Sequence, residues 1–180
     1  MKGVLKKTLL VGILLLSLTS VLQNANAYHL TSWRWPSYRR NPLYYYVASQ
    51  WTEFNTARND WNNAGTHFGL FLRLYNPEYC YVVVIVINPT PDDHTWQGYC
   101  LVFSSGGTAI AADIGLNADE AAYLNSNGRR TVCAHEIGHL FSLDHENNFA
   151  CIMHTDPYWR RNNNILGPQA NDILGVNVAY

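Results

Sequence analysis

Charge is scarce in this chain. Of its 180 residues only 14% are charged, and the formal net charge is −1. A nucleic-acid binder or a polybasic membrane protein needs a cationic face, so both classes are excluded. Long apolar runs are just as scarce: "TLLVGILLLSLTSVL" stands near the start, and no second one follows. No repeat, low-complexity block or Pro/Gly/Ser linker divides the remainder, which suits one domain around a single core. No CxxC pair occurs, so a thiolate zinc site lacks its usual spacing. Low charge with abundant Tyr and Trp excludes a disordered, solvating chain.

The single apolar run carries the marks of export. It follows the short basic "MKGVLKK", and Ala25, Asn26 and Ala27 put small residues where a signal peptidase cuts. Residues 1–27 are therefore expected to be a signal peptide and residues 28–180 the working domain, with no membrane attachment after cleavage; an uncleaved anchor is the alternative. Cys80, Cys100, Cys133 and Cys151 all lie in the exported part. An even number in an oxidising compartment reads as two disulfides of open connectivity, against zinc thiolates as the competing reading.

Local patterns outline the elements. "LYYYVAS" from Leu43 is β-prone, and the Pro before it can mark a strand start. "TEFNTARNDWNNAG" spaces Phe54, Ala57, Arg58 and Trp61 as a helix packed through Phe54 and Trp61 and ending at Gly65. "YVVVIVI" from Tyr81 to Ile87 is β-branched and continuous, a buried central strand. "TAIAADIGLN" reads as a strand entered through Gly106-Gly107, "GRRTVCAHEIGHLFSL" as a second helix, and "GPQANDILGVNVAY" as a short closing helix. Strands first and helices late predict an α+β layer packing.

The second helix carries the chemistry. His135 and His139 are four apart and share a face, so both imidazoles can reach one ion, with Zn–N near 2.0–2.1 Å. Glu136 is turned roughly 100° from His135, better placed to take a proton from a water polarised by the ion than to bind it. His145 is six residues beyond His139. A continuing helix would put it about 240° away, so the chain must leave the helix near Ser142 and turn back. Such a turn suits glycine, and serine there costs about 1–2 kcal/mol in the left-handed conformation. Folding-coupled zinc binding, worth on the order of 10 kcal/mol, can absorb that. Three neutral imidazoles with a fourth position open suit zinc.

His135, Glu136, His139 and His145, followed by "CIM" with Met153, resemble the metzincin metalloproteases, whose pattern is HExxHxxGxxH and a methionine turn; Ser142 stands at the glycine position. The eight-residue interval from His145 to Met153 is most like the matrixin group. "WRWPSYRRNPLYYYV", "FNTARNDWNNAGTHFGLFL", "ADIGLN" and "NDILGVNVAY" extend the likeness over nearly the whole exported region. The resemblance implies a zincin-like fold: a twisted mixed sheet on helices, an HExxH helix, a Met-turn, and a cleft along the edge strand. It implies one catalytic zinc on His135, His139 and His145 and Glu136 as general base then acid. Met153 would form an apolar floor beneath the ligands, and Asp172 would brace the Met-turn. Tyr158 of "DPYW" would form a pocket wall. A Cys133–Cys151 bridge would tie helix to Met-turn, and Cys80–Cys100 would join the central strand to the next segment.

The chain departs from the family in three places. No propeptide or cysteine switch follows Ala27, Asn171 replaces one acid of the closing-helix pair, and no second-zinc or calcium pattern is recognisable, which leaves calcium open. His67, His94 and His154 read as surface or packing residues, and Glu146 as a solvated loop carboxylate. The expectation is a monomeric, secreted zinc endopeptidase acting on protein or peptide. A non-catalytic secreted zinc-binding or adhesion module on the same scaffold is the competing reading, and Glu136 separates the two.

Overall fold

Short β-branched and aromatic runs build the sheet. The computed structural model describes residues 29–47, 51–73, 80–88 and 96–180, so the expected signal peptide and His94 lie outside the described residues. The strands are β1 (Leu43–Val47), β2 (Leu70–Leu72), β3 (Val82–Ile87), β4 (Gly98–Ser105) and β5 (Thr108–Asn117), in the order β2-β1-β3-β5-β4. All neighbours are parallel except β4, which runs antiparallel to β5. β4 forms a hairpin with β5 through Gly106 and Gly107, both at positive φ, where a side chain would be strained. β4 is thus an edge strand, with one row of backbone groups facing out of the sheet.

Among the described residues five α-helices complete the α+β fold: α1 (Thr52–Asn62), α2 (Ala118–Tyr123), α3 (Ser126–Leu140), α4 (Pro157–Asn162) and α5 (Ala170–Ala179). The "YVVVIVI" run becomes β3, flanked by β1 and β5. Phe54 and Trp61 of α1 are fully buried, and the Trp61 indole Nε1 donates to the carbonyl of Ala134 in α3 (2.9 Å). Trp35 is likewise buried and donates from Nε1 to Leu140 at the end of α3 (2.8 Å). Each large side chain so placed contributes about 1.5–3 kcal/mol by leaving water, and its one polar atom is satisfied. Between them the two indoles hold α3 at its middle and at its C-terminal end.

The structure forms neither expected disulfide; all four cysteines are thiols. For Cys80 and Cys100 the sheet gives the reason. Cys80 leads into β3, Cys100 lies on β4, and the whole of β5 runs between those strands. Two strand spacings are about 9.6 Å, beyond the roughly 7 Å limit on Cα separation for a bridge. For Cys133 the reason is helical phase. Two positions along α3 are about 200° apart, so Cys133 faces away from the Met-turn that His135 meets. The charges acting on the Cys133 thiol are those of Glu53, Glu136 and Arg129, whereas Cys151 donates to the carbonyl of Glu146.

α1 and α3 are also joined by charge. Arg129 of α3 donates to Glu53 of α1 at 2.7 Å, and Glu53 is buried. The Arg129 hydrogen bond, outweighing desolvation, lowers the Glu53 carboxyl to about 2 from its ordinary 4.5. A carboxyl whose folded value is depressed adds stability above its unfolded value and loses it as pH falls toward the folded one. Glu53→Gln is therefore expected to cost on the order of 2 kcal/mol at neutral pH and to flatten the loss of stability between about pH 4.5 and 2. Urea denaturation across that range tests it; an unchanged acid limb would show that the pair is not formed in solution.

Candidate metal centre and its cleft

Helix α3 supplies two imidazoles and ends in a turn that supplies the third. After Leu140 the chain closes with Ser142 N–H on the His139 carbonyl (2.9 Å) and Leu143 N–H on the Gly138 carbonyl (3.2 Å), with Ser142 left-handed at φ 69°. This pair of bonds is a Schellman motif with serine in the usual glycine position. The hydroxyl of Ser142 hydrogen-bonds the phenol of Tyr180, the last residue, and that phenol oxygen also accepts from the Trp35 N–H (3.3 Å). The returning segment is then held by the start of the described chain. Thr31 N–H donates to Ser142 O (3.0 Å), Asp144 N–H to His29 O (2.7 Å), and Leu30 pairs with Leu143 as an antiparallel bridge. His145 is delivered to the helix face by these bonds.

There the three imidazoles converge. Nε2 of His145 lies 3.2 Å from Nε2 of His135 and 3.2 Å from Nε2 of His139. Among the described residues this trio can hold a metal ion. The outer nitrogens specify the tautomer. Nδ1 of His135 lies 2.8 Å from the Ile152 carbonyl and Nδ1 of His139 2.9 Å from the Leu143 carbonyl. A carbonyl only accepts, so both Nδ1 atoms carry the proton and both Nε2 lone pairs point inward. Burial drives the same state: it pushes His135 well below the usual imidazole range, His139 to about 4, and His145 downward. Lone pairs facing one another across 3.2 Å repel unless a cation sits among them. Tetrahedral coordination at 2.0–2.1 Å would set nitrogens about 3.3–3.4 Å apart, so the donor set fits such an ion.

Met153 is buried against α3, beside Gly138. A Cβ on Gly138 would stand only 2.2 Å from the Met153 sulfur, so the Met-turn approaches the helix backbone as closely as glycine permits. Asp172, at the start of α5, holds that turn. Its Oδ2 accepts from Ile152 N–H (2.9 Å) and Gln169 N–H (2.7 Å), its Oδ1 from Met153 N–H (3.4 Å). The Ile152 carbonyl in turn orients His135. Glu146 is not solvated: it is buried, and its Oε1 accepts from Asn148 N–H (2.7 Å) while its N–H reaches the Met153 carbonyl. His67 is exposed and His154 stacks on Trp159, both apart from the metal cluster.

A cleft of about 460 Å³ opens over the histidines, bounded by β4 through Gly98, Cys100 and Val102, with Glu136 in its wall. A Cβ on Gly98 would lie 2.9 Å from Glu136 Cγ, so the edge strand passes directly over the carboxylate. Burial raises Glu136 to about 8, opposed by the positive charge of Arg160. Tyr158 does not line this cleft: it is 65% exposed, with Arg161 over its ring. Asp156 caps α4 and Pro157 opens it, and the inward face is then Pro157 and Arg160, three apart. Arg160 went unforeseen from sequence; the Asp-Pro helix start and the Trp159-Arg160-Arg161 run were its signal. Among protein-family models and curated proteins, nothing matches this chain.

Ser142 offers a direct test of the turn. Alanine keeps the left-handed strain and loses the hydroxyl bond, so Ser142→Ala is expected to cost about 1–2 kcal/mol. Glycine loses the same bond but relieves strain, so Ser142→Gly should lie within about 1 kcal/mol of wild type and above Ser142→Ala. Chemical denaturation with zinc saturating measures both. Alanine equal to wild type would mean that the Tyr180 contact contributes nothing.

Proposed function

We propose that this chain is a secreted, zinc-dependent endopeptidase of the metzincin kind, most like the matrixins. The observation that carries the proposal is one cleft holding three inward-facing imidazoles beside a buried, otherwise unpartnered carboxylate. Zinc on His135, His139 and His145 would supply a Lewis acid that polarises the scissile carbonyl and acidifies water. Glu136 would take the proton from that water and hand it to the departing amine. Its burial suits the task, since a carboxyl raised toward neutral pH is a stronger base than a solvated one. A bound dication would draw the value back down, leaving the group ionised and ready.

The edge strand supplies the binding mode. An extended peptide can add to β4 as a further strand, its backbone pairing with the exposed edge and its side chains alternating in and out of the cleft. That edge also runs over Glu136 at Gly98, so a peptide paired there is carried past the base. Asp172 and the Met-turn act through His135, holding its ring where the lone pair faces inward. A module that only bound metal would derive nothing from Glu136, which among the described residues forms neither an ion pair nor a hydrogen bond.

Two variants separate metal from chemistry. His145→Ala removes one donor, and metal analysis is expected to show loss of the single bound zinc, or an affinity reduced by orders of magnitude. Glu136→Gln preserves size and leaves zinc in place, yet peptide hydrolysis should fall by about 10²–10⁴-fold or more. Undiminished hydrolysis in Glu136→Gln would remove that residue as the base, and unchanged zinc in His145→Ala would remove His145 as a ligand.

A further inference from the structure

The cleft contains one group that the proposed hydrolysis does not use. Arg160 is only 3% exposed, yet it lines the same cavity as the histidines and Glu136. Its Nη1 donates to the His154 carbonyl and lies 3.1 Å from Nδ1 of His135. That second contact attracts nothing, because Nδ1 already carries a proton directed at the Ile152 carbonyl. Its Nε is buried with no hydrogen-bond partner among the described residues. Among the described residues no carboxylate forms an ion pair with it; the ion pairs are Arg129–Glu53 and Arg130–Asp60. A guanidinium is a cation at any pH near neutral.

A buried cation without a counterion costs several kcal/mol, and an unsatisfied N–H adds to that cost. A side chain that merely braced the Met-turn would need neither the charge nor an approach to the cleft. The guanidinium fork is built to take a carboxylate through parallel N–H donors. The cleft is large enough to admit a side chain, and among the described residues Glu136 is the only acid in its wall. We infer that Arg160 anchors a substrate carboxylate, so that the cleft selects peptides carrying an acidic side chain or a free C-terminus beside the scissile bond. This rests on the peptidase reading and names its substrate class. An incoming carboxylate supplies the missing counterion where the guanidinium borders the cleft.

The test uses zinc-loaded protein and fluorogenic peptides with one fixed sequence. Glu, Gln and Leu are placed in turn at each of three positions on either side of the cleaved bond. A second set ends near that bond as the free acid or the amide, which separates the two sources of carboxylate. Wild type is expected to show at least a tenfold higher kcat/KM for the acid over its amide isostere at one position or at the terminus. In Arg160→Gln that ratio should collapse toward one, and in Arg160→Lys it should be partly kept. The readout is the ratio, which a general loss of activity or of folded protein leaves unchanged. A wild-type ratio near one at every position overturns the inference without any variant.

A binding arm does not depend on turnover. Calorimetry of the same acid and amide peptides on Glu136→Gln, and on Glu136→Gln with Arg160→Gln, should show an acid preference only in the former. Should wild type cleave nothing while that preference appears, the peptidase reading falls and carboxylate recognition stands. Should cleavage occur with no preference that depends on Arg160, the reverse holds.

Discussion

The left-handed turn at Ser142 is the constraint on which the histidine cluster depends. A helix can offer His135 and His139 to one ion by spacing alone, but a third ligand six residues on would face away. Only a reversal immediately after Leu140 returns His145 in time. The backbone achieves it with two carbonyl-capping bonds at the end of α3 and one residue at φ 69°. Much of the surrounding structure then serves that reversal. The segment from His29 to Thr31 pairs with it, Trp35 closes the end of α3, and Tyr180 bonds the Ser142 hydroxyl. Residues near both ends of the described chain therefore meet at one turn. The geometry of the histidine cluster is secured by contacts spanning more than a hundred residues of sequence.

Burial sets the chemistry of the groups so assembled. The three imidazoles are kept neutral, which is the state that can donate to a cation. Glu136 is held reluctant to ionise, which makes it basic. Arg160 is buried with a hydrogen bond to the His154 carbonyl but, among the described residues, without an ion pair. In water these would be ordinary side chains; in a site of low polarisability their charges act on one another strongly. Glu136 and Arg160 have opposite signs but form no ion pair, so each remains available to something entering the cleft. Had they paired, the carboxylate would be less basic and the charge of the guanidinium balanced.

The parts legible in sequence were those whose cause is local. The HExxH spacing places two histidines by helix geometry alone, and the position of His145 requires a left-handed residue near Ser142, which is where it occurs. β-branching identified β3, and Phe54 with Trp61 identified the buried face of α1. What escaped depends on partners distant in sequence. β2 is three residues long and exists through its pairing with β1. β4 reads "GYCLVFSS", with no clean alternation, because its helix-facing side closes a cleft and its other side is exposed. Tyr158 was placed by analogy to a wall, whereas α4 rotates it outward and turns Pro157 and Arg160 inward. The cysteine pairing failed similarly: nearness of Cys133 to His135 in sequence is the wrong measure on a helix, where a two-residue step reverses the direction.

Serine at the turn is best understood through what glycine could not do there. Glycine would adopt the same φ with less strain, so backbone conformation alone argues against serine. The hydroxyl changes the balance by giving the turn a side-chain attachment to Tyr180, whose ring packs edge-on against Phe68 and lies beneath Arg40. Phe68 stacks on Phe141, the residue just before Ser142. The contacts close into a loop: Phe141 to Phe68, Phe68 to Tyr180, Tyr180 to Ser142. A closed set of contacts resists displacement better than the same contacts in an open chain, because no member can move without disturbing two others. The strain of about 1–2 kcal/mol at Ser142 is thereby set against a bond that fixes where the turn lies, and with it where His145 can reach.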